Sequence, residues 1–255
     1  MPQKLQRQQQ SKNKRNSKKP SKLKIYLPIG ATMTVDEILA ELATLGDEQT
    51  KNHYLHQGMP DSVFGVNFTK LSKLKKEIGK NQVFAESLWL TGQPDAQILA
   101  TMLVDNDAIS MEVFDHWAHS ANYTSVADAL GRLLTQLPFA EKLGSKYRSS
   151  DEEWPSRIGW QQVAVLAQKH MLEDDLAEEL LQLIEQGIQS SANQTKDAMI
   201  MALIAIGLTD PTWRSEAEVV AERIGEVKID HGKTGHRTPD PIQYLDKAWA
   251  RKWAQ

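Results

Sequence analysis

TVDEILAELATLG, residues 34–46, decides the fold. Thr34 and Glu37 make the reciprocal pattern of a capping box, in which a hydroxyl and a carboxylate three residues apart satisfy free amides at a helix start. Behind them Ile38, Leu39, Leu42 and Leu45 recur at helical spacing, and Gly46 ends the run. The same grammar predicts helices over 48–57, 68–78, 82–90, 95–104, 111–120 and 125–136, then over 151–170, 173–186, 196–208, 215–223 and 242–253. Short polar, Gly or Pro breaks separate them. Val227-Lys228-Ile229 is the best strand candidate and is too short to build a sheet. Helices of about 10–15 residues in pairs at roughly 35–45-residue spacing predict an all-α chain, a HEAT-like repeat α-solenoid of antiparallel helix pairs. No strict sequence repeat is present, so a compact helical bundle is the alternative.

The chain has 255 residues, no cysteine, 30 Lys+Arg and 33 Asp+Glu. Zero Cys excludes a disulfide framework, a thiolate zinc site and a Cys nucleophile. No apolar run approaches the roughly 20 residues of a bilayer span, and no apolar segment follows the basic start. A cytoplasmic protein without membrane contact is expected. Charge is unevenly spread. Residues 1–24 hold nine Lys/Arg and no acid, leaving 21 basic against 33 acidic residues, a net of −12, in the remainder. A segment this polar buries too little surface to offset its ordering entropy. Residues 1–32 are therefore read as a disordered basic arm, and residues 33–255 as a single helical repeat domain. A basic arm binds nucleic acid through counterion release, whereas a solubilising extension or an over-long start ahead of Met33 would have no partner.

Several constellations bear on chemistry. Gly232-Lys233-Thr234 has the ending of a phosphate-binding loop, but Val227 stands where its first Gly is required. His116 and His119 share a helix, and His231 and His236 flank a Gly-rich loop. Neither pair has a carboxylate at diagnostic spacing, so no metal site and no cofactor is expected. Most of the seven Trp lie in helical context and read as packing residues. Trp154 differs, because it sits in SDEEWPSR, residues 150–157, at a helix start where Pro155 fits the first turn. Arg157 then stands near exposed helix amides, where it would hold a phosphate or pair with Asp151 or Glu153.

Beyond these, the chain resembles the DNA alkylation repair family from about Met33 to Trp253. The resemblance rests on MTVDEIL at 33–39, on VFGV at 63–66 followed by LSKLKK at 71–76, and on AESLW at 85–89 with Thr91-Gly92 and the 96–100 helix. It rests further on SDEEWPSR at 150–157 and on IDHGKTGHRTPD at 229–240, the most specific element. The resemblance implies a HEAT-like protein acting on duplex DNA, alkylated or distorted, as a monomer. It implies excision of N3- or N7-alkylated purines by N-glycosidic hydrolysis, with a non-catalytic scaffold that binds DNA structure or protein as the alternative. An Asp would stabilise the developing sugar cation, while two Trp and an Arg line the site. Residue by residue, Arg157 matches the family Arg, and Trp154 belongs to the same element. Tyr123 stands in place of the first Trp. Ala127 falls at the Asp spacing, and Asp128 beside it is the catalytic candidate. Met201 replaces the second Trp, and Ile204 replaces a further Arg.

Overall fold

The computed structural model describes residues 24–26, 32–231 and 235–253. Gly232-Lys233-Thr234 and most of the basic arm lie outside the described residues. Among the described residues are thirteen α-helices and one antiparallel pair of three-residue strands, Lys24–Tyr26 (β1) and Thr32–Thr34 (β2). β1 falls inside the stretch expected to be an arm, and β2 runs directly into α1.

The helices are α1 (Val35–Leu45), α2 (Glu48–His56), α3 (Phe68–Ile78), α4 (Gln82–Trp89), α5 (Pro94–Leu103), α6 (Met111–Ser120) and α7 (Thr124–Leu134), followed by α8 (Ala140–Arg148), α9 (Glu153–Gln168), α10 (Asp174–Gly187), α11 (Asn193–Gly207), α12 (Pro211–Ile224) and α13 (Pro241–Trp253). The capping box forms as the sequence requires: the Thr34 hydroxyl accepts from Glu37 N, and the Glu37 carboxylate accepts from Thr34 N at 2.7 Å. The segment around Val227-Lys228-Ile229 is irregular rather than a strand. Helix α8 was not expected from the sequence.

One layer runs α3, α5, α7, α9, α11, α13, each helix packed on the next. The other layer is stitched by side chains. Trp89 of α4 stacks on Trp117 of α6 at 4.4 Å and 5°, Asp115 of α6 accepts from Lys146 and Tyr147 of α8, and Trp213 of α12 donates to Asp174 of α10. Consecutive helices α4–α5, α8–α9 and α11–α12 join the layers. This is a HEAT-like helical repeat fold. Buried apolar side chains form two cores. The first runs from Val35 to Ile158, the second from Trp160 onward, so they meet inside α9.

Two stretches singled out by the resemblance meet at a buried acid. Asp95, 0% exposed at the start of α5, accepts from Phe64 N and Val66 N, both at 2.8 Å. Gly65 between them has φ +80°, and a Cβ there would stand 2.5 Å from Lys51 N, so only glycine lets this bend pack against α2.

Candidate functional site

The N-terminal turns of α7, α9 and α11 lie side by side, and each presents one charged group to the others. Arg157 of α9 is 3% exposed. Its Nε donates to Asp128 Oδ1 at 2.9 Å and its Nη2 to Asp128 Oδ2 at 3.2 Å. Its Nη1 donates to Asp197 Oδ2 at 2.8 Å and to the Gln194 carbonyl at 3.2 Å. Arg157 therefore pairs with neither Asp151 nor Glu153, the neighbours on its own segment. Its partners come from α7 and α11, 29 and 40 residues away. A guanidinium presents five donors in a planar fork, and two carboxylates and a carbonyl take up most of them here.

Burial costs an isolated charge heavily, and the cluster answers that cost with opposite charge. Burial pulls the Arg157 guanidinium down, but Asp128 and Asp197 outweigh it and hold it above its ordinary value. Burial likewise pushes Asp197 up, and Arg157, Thr238 and His236 outweigh it, so its carboxyl titrates below the usual range. Asp128 retains 22% side-chain exposure, against 3% for Asp197.

The C-terminal segment closes over the far side of Asp197. Thr238 Oγ1 donates to Asp197 Oδ1, and His236 Nε2 lies 3.3 Å from the same oxygen. His231 Nε2 is 2.9 Å from Thr238 Oγ1. Burial pushes the His231 imidazole below its ordinary value; Asp197 opposes the shift and His236 and Arg157 add to it. Asp230 N donates to Asn193 Oδ1 at 3.1 Å, which fixes the segment at the start of α11. Residues from two stretches of the resemblance, Arg157 from 150–157 and His236 and Thr238 from 229–240, thus converge on one carboxylate. That carboxylate, Asp197, was missed in the sequence. The available signal was an acid opening the apolar run 198–207, a position where a charge is buried only if partnered.

The other expected residues flank the cluster. Tyr123 is the N-cap of α7, half-buried against the first core. Trp154, half-buried against the same core, lies three residues before Arg157 on α9. Met201, half-buried against the second core, lies four residues after Asp197, on the same side of α11. Ala127 is fully buried, so the acid that faces outward on α7 is Asp128. Residues 231 and 236 form a pair without a carboxylate at diagnostic spacing, as read from the sequence, but α11 supplies Asp197 from 34 residues upstream of His231.

One turn beyond Asp128 on α7 stands Arg132, at i+4 and on the same side. Arg132 lines a groove between α3, α5 and α7 together with Lys75, Lys80 and the 61%-exposed Phe68. Lys169, in contrast, caps the other end of α9, about 18 Å along the axis from Arg157.

The profile of a family described as DNA alkylation repair enzyme matches residues 38–223. The chain belongs to that family. It is 25% identical over 222 residues to the uncharacterized protein Lin0241 of Listeria innocua serovar 6a, covering 85% of this chain and 97% of the relative. It is 24% identical, over the same shares, to the uncharacterized protein Lmo0209 of Listeria monocytogenes serovar 1/2a. Among solved structures it is similar to one described as a new family of proteins related to the HEAT-like repeat DNA glycosylases with affinity for branched DNA structures. The TM-score is 0.79 at 25% identity, covering 86% of this chain and 95% of that one. No helix among the described residues is long and apolar enough to cross a membrane.

Proposed function

We propose that this protein grips the phosphate backbone of distorted or branched DNA along the groove between α3, α5 and α7. The observation that carries this is the set of cations lining that groove, Lys75, Lys80 and Arg132, which opens one helical turn from Asp128. The body as a whole is acidic, so phosphate neutralisation has to come from a local patch rather than from net charge. α3 supplies such a patch, with Lys73, Lys75 and Lys76 against Glu77, while Lys70 is taken up by Asp47. Phe68 at its start offers an apolar surface to an unstacked base. The affinity for branched DNA of the similar solved protein supports the same reading. Arg157 serves it indirectly. Held at 3% exposure, it fixes α7 against α9 and α11 and so sets where Asp128 and Arg132 stand.

Excision of N3- or N7-alkylated purines by a monomer is the second reading. It is favoured by the family and by the 22% exposure of the Asp128 carboxylate, one helical turn from Arg132. In that reading Asp128 steadies the developing sugar cation, with Tyr123, Trp154 and Met201 as the aromatic and apolar surroundings of the lesion.

The test is binding of purified protein to a four-way junction and to a matched linear duplex. Replacing Lys75, Lys80 and Arg132 with Glu is expected to weaken junction binding at least about tenfold and to lower the salt slope by about one per phosphate contact removed. Unchanged affinity with an intact fold would rule out the groove. Release of N7-methylguanine and N3-methyladenine from methylated duplex decides the second reading. Release that falls about 10²–10³-fold in Asp128→Asn supports it, and absence of release removes it.

A further inference from the structure

We propose that Asp197, His231 and His236 bind a divalent transition-metal ion of the zinc class, which clips the C-terminal segment onto α11. One candidate ligand atom from each residue lies within 4.8 Å of the other two. His236 Nε2 stands 3.3 Å from Asp197 Oδ1. Two ligand atoms bonded at about 2.0–2.1 Å to one tetrahedral ion stand about 3.3–3.4 Å apart, so this pair already has the separation of two zinc ligands. The two imidazoles cross at 86° with centroids 4.6 Å apart, so both rings reach the same volume without stacking.

The donor set selects the ion class. Two imidazoles and one carboxylate suit zinc and its neighbours, whereas calcium and magnesium favour all-oxygen shells. Three protein ligands leave a fourth position for water, and Thr238 Oγ1 is hydrogen-bonded to both Asp197 Oδ1 and His231 Nε2 beside the site.

The surroundings are those of a supported ligand. Arg157 Nη1 takes Asp197 Oδ2 at 2.8 Å, which aims the other carboxylate oxygen at His236. Such outer contacts orient ligating side chains and tune their affinity. Asp128, bidentate on the opposite edge of the same guanidinium, offsets the positive charge that Arg157 would otherwise direct at the ion. With neutral imidazoles the cluster Asp128, Arg157 and Asp197 has a net charge of −1, which favours a dication.

A ligand set divided between α11 and residues 231–236 makes metal binding and docking of that segment one process, since the site does not exist until both parts meet. The inference is independent of DNA binding, and its test contains no DNA. Full-length protein is stripped with a chelator and titrated with Co²⁺, then Zn²⁺. The expected result is about one equivalent of Co²⁺ with the visible absorption of a four-coordinate ion, displaced by Zn²⁺, and a rise in Tm at saturating Zn²⁺. His231→Ala and His236→Ala are each expected to weaken zinc at least about tenfold, and the double variant to lose the Tm gain. The double variant His116→Ala/His119→Ala, in the other histidine pair, is expected to retain both. Absence of stoichiometric Co²⁺ or Zn²⁺ binding at micromolar metal overturns the proposal. So does a Tm gain that survives in His231→Ala/His236→Ala. Because both histidines are only half-buried, replacement is expected to leave the fold intact, and circular dichroism of the metal-free variants separates lost binding from unfolding.

Discussion

Two ionic clusters, one in each of this protein's two layers, differ in composition and above all in burial. In one layer Asp115 of α6 accepts from Lys146 Nζ and Tyr147 Oη of α8, each at 2.9 Å, with His119 beside it. Its charged side chains are 33% and 57% exposed. In the other layer Arg157 bridges Asp128 and Asp197 with side chains 4%, 22% and 3% exposed. Water substitutes for a lost partner in the first cluster and has no access in most of the second. The comparison teaches that contact geometry alone says little about what an ion pair contributes. Exposed pairs contribute about 0–1 kcal/mol, whereas removing one partner of a buried pair costs about 3–5 kcal/mol.

Arg157→Ala gives the largest expected effect. It leaves Asp197 buried beside Asp128 without its cation, and the loss of about 3–5 kcal/mol corresponds to a Tm lower by roughly 6–20 °C for a chain of this size. A drop of under about 2 °C in thermal unfolding would place this cluster with its exposed counterpart and break the comparison. Arg157→Met combined with Asp197→Leu sharpens it. Replacing charge by apolar volume is expected to recover most of that loss, because the penalty lies in the uncompensated carboxylate rather than in a missing attraction. A double variant no more stable than Arg157→Ala contradicts that account. Asp128→Asn comes third. One oxygen still accepts, water reaches the site, and the expected cost in denaturant unfolding is about 1–2 kcal/mol. Asp115→Asn is the smallest, within about 1 kcal/mol at neutral pH. Burial pushes Asp115 up, but Lys146, Tyr147 and His119 outweigh it and hold the carboxyl below its ordinary value. Its contribution is therefore present above about pH 3.9 and lost as pH falls through that lowered value. The Asn variant is expected to show a shallower decline of Tm over that acid range, and an unchanged decline would show that Asp115 does not drive it.

The helices that were legible are those whose signals are local. The Thr34–Glu37 box and the Leu71, Leu74, Ile78 stripe each lie within one helix, and both appear with the expected bounds. Helix α8 escaped because AEKLGSKYR buries only Leu143, Gly144 and Tyr147, too few apolar positions to show a period, and its Gly144 reads as a break. A Cβ there would displace the carboxamide of Gln162 of α9, whose Nε2 donates to the Ala140 carbonyl. The site divided along the same line. Arg157 and Asp128 were visible from motif and spacing, while their mutual pairing was not, since 29 residues separate them. Asp197 was invisible as a site residue because its helix reads as an apolar run, and its partners arrive from α9 and from the C-terminal segment. Tertiary assembly, which no window of sequence contains, brought them together.

The meeting of two cores inside α9 has a consequence for cooperativity. Ile158 belongs to one core and Trp160 to the other, so a single helix transmits stability between the halves of the molecule. In a stack whose repeats touch only their neighbours, global cooperativity is the product of such couplings. Weakening this helix would uncouple the halves, and each would then melt at its own temperature. Calorimetry would register that as a van't Hoff enthalpy smaller than the calorimetric one, the mark of a transition that has ceased to be all-or-none.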